Sequence, residues 1–132
     1  MSHVANIMVS VNHDDIPTLE TFSEWLRTDP VMNTGRPVGW LMEITGEGDR
    51  WGGYKRPECT IWAGALNRAD LNAILDRAAI LPWQVPHAVQ VFLKDQYEEY
   101  FRLWMLRDGE LRQYAPMSPQ EDDTDFYPPD ID

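Results

Sequence analysis

The chain has 132 residues and a formal net charge of −11, from 22 acidic and 11 basic side chains, and it contains one cysteine, Cys59. That length fits one domain able to bury a core without staples, while a lone cysteine excludes an internal disulfide and a cysteine-based zinc site within the chain. The charge disfavours contact with a nucleic-acid backbone and suits a basic protein partner, and no run of about 18 apolar residues offers a membrane span.

Residues 1–6 lack a basic stretch leading into an apolar core, so no secretory leader is expected and the cytoplasm is the expected location. Over residues 4–11, Ala5, Ile7, Val9 and Val11 alternate with Asn6 and Ser10, the period of a strand. Asn12-His13-Asp14-Asp15 breaks that pattern. A helix is predicted over about 16–28, with Leu19, Phe22, Trp25 and Leu26 on its apolar stripe and Glu20, Ser23, Glu24 and Arg27 away from it. Pro17 fits a first helical turn and Pro30 prevents extension.

Val38, Trp40, Met42 and Ile44 alternate again, which predicts a second strand with Trp40 in the core. A glycine-rich loop over 46–58 separates it from a third strand at 59–66, which Cys59 enters as a small buried residue. Asn67 opens a second helix whose apolar stripe is Leu71, Ile74, Leu75 and Ala78; Pro82 and Pro86 punctuate its exit. Val89, Val91 and Leu93 mark a fourth strand. Segments 100–107 and 110–115 then flank Asp108-Gly109, the dipeptide of a tight hairpin turn.

Asn12-x-x-Asp15-Ile16-x-x-Leu19 matches Asn67-x-x-Asp70-Leu71-x-x-Ile74, each directly after a strand. An Asn cap followed by an acid near the positive end of the helix dipole accounts for the match as well as common ancestry does. The resulting order, β-α-β-β-α-β plus a C-terminal hairpin, predicts an α+β domain of ferredoxin-like layout. Right-handed crossovers place both helices on one face of a mainly antiparallel sheet. The domain is expected to span 1–116. Residues 117–132 form an acidic tail with six acids and no base, more than half of the net charge.

Chemistry-bearing motifs are scarce. In the 46–58 loop the third glycine of a dinucleotide fingerprint is misplaced and no helix is expected to follow, and the Gly-Lys-Ser/Thr of a phosphate loop is absent. His3, His13 and His87 show no metal-ligand spacing, and the acids beside His13 are explained by a turn, so neither metal nor cofactor is expected. No serine, cysteine or threonine is placed by local spacing beside a base, so no catalytic residue is assigned. The candidate partner-binding residues are Trp51, Tyr54, Lys55 and Arg56 in the loop, Trp83 in a proline-rich connection, and Phe126 and Tyr127 in the tail.

Two functions are therefore carried forward. The first is a non-enzymatic interaction module, such as an inhibitor or immunity-type protein, that engages a basic protein partner. The second is a dimeric small-ligand protein or enzyme whose pocket between helices and sheet is lined by Trp40, Trp62 and Trp104, with Arg102 or His87 supplying polar contacts. A close-packed helix–sheet interface favours the first and an enclosed cavity of several hundred Å³ the second. A homodimer is compatible with either.

Overall fold

The alternation over the first strand places that strand at the centre of a sheet. In the computed structural model, which describes residues 3–46 and 51–114, β1 (Val4–Val11) pairs antiparallel with two neighbours. A short 3-10 turn leads into α1 (Ile16–Thr28), and β2 (Met42–Glu43), β3 (Thr60–Asn67), α2 (Leu71–Ile80) and β4 (Gln90–Asp95) follow. The hairpin β5 (Arg102–Arg107) and β6 (Glu110–Tyr114) completes a six-stranded sheet of order β2-β3-β1-β4-β5-β6, antiparallel throughout. β1 to β4 with the two helices are a ferredoxin-like core, and the hairpin widens the sheet beyond β4. Asp108 and Gly109 both have positive φ, 55° and 77°, as the predicted turn requires.

One face of the sheet is buried beneath the helices. Ala5, Ile7, Val9 and Val11 of β1 and Val91 and Leu93 of β4 are buried. All but Ala5 form one cluster with Leu19, Phe22 and Leu26 of α1, Ile74 and Ala78 of α2, and Leu106 of β5. Leu71, Leu75 and Trp25 are only half-buried at the edge of this cluster. Trp25 stacks on Phe22 with ring centroids 6.1 Å apart and is covered outside by the Arg77 guanidinium, 4.8 Å from its ring centre. Burying each such side chain contributes about 1.5–3 kcal/mol, so this layer holds the fold together.

Several expectations are corrected here. Trp40 is half exposed and Met42 and Ile44 are exposed, because Met42 lies opposite Ala63 and this set therefore faces away from the helices. Leu41 takes the inward position instead. Its N–H donates to Ser23 Oγ, and that hydroxyl donates to the Leu41 carbonyl, both at 3.0 Å. Ser23, expected on the polar side of α1, is buried for that purpose. The chain reaches this position only because residue 64 is glycine: a Cβ there would stand 2.4 Å from the Trp40 carbonyl oxygen.

The two matched junctions also differ in detail. Asn67 ends β3, and Asp70 caps α2 by accepting from the Ala73 N–H. Asn12 caps the 3-10 turn by accepting from the Asp14 N–H. Asp15 is fully buried and accepts from the N–H groups of Gln84 and Val85 at 2.7 and 2.9 Å. This carboxylate ties the connection after α2 to the corner between β1 and α1, a role that local helix chemistry does not suggest.

Candidate functional site

The ladder registers define a second face with no helix on it. Met42 lies opposite Ala63, Ala63 opposite Met8, Met8 opposite Phe92, Phe92 opposite Leu103, and Leu103 opposite Tyr114. One transverse row thus crosses all six strands without a charged side chain. Its four inner members are half-buried by their neighbours in the sheet, whereas Met42 and Tyr114 at its ends are 61% and 45% exposed. A parallel row runs Ile61, Ser10, Gln90, Met105 and Arg112. No described element covers this face.

The charges on the face lie away from that central row. Among the outward residues of β1, β3, β4 and β5, the charged side chains are Lys94 and Arg107, and no acid is present. On β6, Arg112 pairs with Glu110 at 3.4 Å and reaches Asp108 at 3.6 Å. The exposed acids of the helices, including Glu20, Glu24 and Asp76, lie on the opposite side of the molecule. The protein is therefore polarised, with an apolar face low in charge and an acid-rich helical side.

The candidate residues from the sequence divide accordingly. Trp51 is 41% exposed, and its indole N–H donates to the Ile44 carbonyl at 3.0 Å, which holds it at the β2 margin of the open face. Tyr54, Lys55 and Arg56 are exposed on the same loop. Trp83, expected as an exposed anchor, is 8% exposed and belongs to the core; its indole N–H donates to the Ala78 carbonyl at 2.8 Å. A proline-rich connection resembles a surface loop in composition, yet here it folds back across the end of α2. Phe126, Tyr127 and the tail lie outside the described residues.

Hollows of moderate size mark the described surface. One of about 560 Å³ is lined by Ser10, Asn12, His13, Glu58, Cys59 and Thr60 among others. Cys59 is exposed there rather than buried, because β3 begins one residue later. Another, of about 400 Å³, lies between the end of α2 and the β5–β6 turn and includes His87 and Arg107. A third of about 420 Å³ lies beside Trp40 and Met42, and a fourth of about 250 Å³ beside Arg36. None of the four is lined by Trp62 or Trp104. Both of these tryptophans are on helix-facing positions, opposite Val9 and Val91, and pack on the core. Among the described residues no group of three or more His, Cys, Asp or Glu side chains could hold a metal ion, and no helix is long and apolar enough to cross a membrane.

At the sheet margin, His3 donates to Asp95 through Nε2 at 2.5 Å and packs against the Tyr97 ring. That hydrogen bond holds the Asp95 carboxyl below its ordinary pKa. The contact joins the start of β1 to the end of β4.

Alternation within each strand points to one apolar face and so does not reveal the open row. The signal was present: Leu103-Trp104-Met105-Leu106 is apolar on both sides of β5, and Phe92 sits between Val91 and Leu93 in β4. Strands that do not alternate are those that bury, or are ready to bury, both faces. No protein-family model, curated protein or solved structure matches this chain.

Proposed function

We propose that this protein is a non-enzymatic interaction module that docks another protein through the helix-free face of its sheet. The observation that carries this reading is the apolar row Met42, Ala63, Met8, Phe92, Leu103 and Tyr114, which crosses six strands with no described element over it. Monomeric proteins seldom leave a contiguous apolar surface of several hundred Å² uncovered unless something binds there. The Trp51 and Tyr54 loop stands at one margin of that surface, where aromatic side chains supply much of the energy of an interface. The net charge of −11 attracts a basic partner at long range, the charge profile of an inhibitor or immunity-type protein, while the helical acids stand on the side away from the docking face.

Affinity capture with the full chain, compared with Met8→Lys and Leu103→Lys, tests the reading. Proteins retained by the wild type should be lost with both face variants and kept by Glu24→Ala on the helical side. Raising the salt concentration should slow association of a basic partner, since exposed charges are screened beyond about 10 Å at 0.1 M. Identical retention by the wild type and both folded face variants would overturn it.

A further inference from the structure

We infer that the occupant of the helix-free face is a second copy of this chain, related by a two-fold axis that passes near the Met8–Phe92 pair. This rests on the reading that the face docks protein, and it names as the partner a like-charged copy in place of a basic protein. Met8 and Phe92 are opposite one another on β1 and β4, the two middle strands of the six-stranded order. An axis through that point, lying along the row in the plane of contact, lays the apolar row of one copy over that of the other. An isologous interface requires such self-complementarity, because each patch must meet itself.

The area is sufficient. Six strands at about 4.8 Å spacing and about 3.3 Å per residue give a face of roughly 600 Å² in plan. Two such faces bury on the order of 1,200 Å² before the relief of the side chains is counted, the lower bound for a stable specific interface. Charge permits the contact despite the net −11 of each chain. The outward residues of the four inner strands include no acid, and the helical acids point away from the seam. Arg107, Arg112 and Glu110 fall toward the rim, where charges stay hydrated, and Lys94 stands one same-face position beyond Phe92 on β4.

The competing occupant within the chain is the C-terminal segment 115–132, which begins directly after Tyr114. It carries six acids and no base. Laying it over a row of Met, Ala, Phe and Leu would desolvate carboxylates for which the row itself supplies no cation. A second copy brings methionine, phenylalanine and leucine to the same place and leaves the acids in water.

Sedimentation equilibrium of the full chain, from low micromolar to several hundred micromolar, tests this. The expected mass is twice the 15.3 kDa of one chain, shifting to the single-chain mass on dilution. Met8→Lys and Met8→Glu should each be monomeric with an unchanged circular-dichroism spectrum, and mixing the two should restore dimers by pairing opposite charges near the axis. Leu103→Lys gives a second probe should residue 8 disturb folding. A wild type that stays monomeric throughout overturns the inference, as does a dimer unaffected by both substitutions in folded protein. If the wild type is monomeric while Met8→Lys abolishes capture of another protein, the second copy is excluded and the docking reading stands. If neither mass nor capture responds, both are lost. A monomeric wild type whose face becomes dye-accessible in Phe126→Ala/Tyr127→Ala would assign the face to the tail and overturn the second copy.

Discussion

The two faces of this sheet are built from the same strands, yet they are finished differently. Under the helices, Val9, Val91, Phe22 and Ile74 are fully buried in one cluster. On the other side, Met8, Ala63, Phe92 and Leu103 are also apolar but only half-buried, and their row ends in exposed Met42 and Tyr114. The difference lies in what covers each side, since residue hydrophobicity is similar. A face closed by the chain itself contributes its full burial to folding, whereas an equally apolar face left open contributes less. Full burial on the helical side therefore reports stability, and incomplete burial on the other side is what the proposed docking would complete.

That contrast is sharpest in truncation. Phe22→Ala empties a fully buried position and should cost about 3–5 kcal/mol in urea denaturation. Phe92→Ala, measured at a concentration where the chain is monomeric, should cost about 1 kcal/mol, because the ring already meets water on one side. Equal losses at the two positions would mean that the open face is closed within a single chain.

A second test concerns the polar element of the closed side. Asp15→Ala leaves the Gln84 and Val85 N–H groups without their acceptor, and two bonds to a buried carboxylate together are worth about 3 kcal/mol or more. Asp15→Asn retains one side-chain acceptor and should fall between the wild type and alanine. If Asp15→Ala unfolds at the wild-type urea concentration, the connection after α2 is held by something else.

The hairpin extends the open face by two strands, so its turn is a third point of attack. Gly109→Val forces a β-branched residue to φ 77° and should cost about 1–3 kcal/mol. It should also weaken dimer formation beyond that loss, since Leu103 and Tyr114 sit on the two strands it joins. Unchanged stability would show that the turn relaxes without strain.

The smallest effect belongs to the sheet margin. Hydrogen bonding to His3 lowers the Asp95 pKa, so its contribution is complete above the ordinary carboxylate value of about 3.9 and is lost as pH falls through the lowered one. His3→Ala should raise the Asp95 titration midpoint in a carboxyl-carbon NMR titration and move acid unfolding to slightly higher pH. An unmoved Asp95 midpoint would show that the hydrogen bond is not formed in solution.

Local chemistry in the sequence determined the element order. The alternation over Val4–Val11, the stripe that gave α1 the bounds Ile16–Thr28 and the Asp108-Gly109 turn are all governed by neighbouring residues, and each appears as expected. The β-α-β-β-α-β arrangement with its hairpin follows from that order and from the fixed hand of crossover connections. The choice of side was another matter. Whether Trp40 or Leu41 points inward depends on which residue of β3 lies opposite, and the closeness of the two segments depends on a glycine at 64. Likewise, Asp15 and Ser23 look like ordinary helix-surface residues until segments about 70 and 18 positions away bring N–H groups to them. The open row belongs to the same class: its six residues come from six strands and become neighbours only in the sheet. Periodicity within a segment sorts residues into two faces, but only long-range pairing and the placement of the helices decide which face is closed and which remains available to a partner.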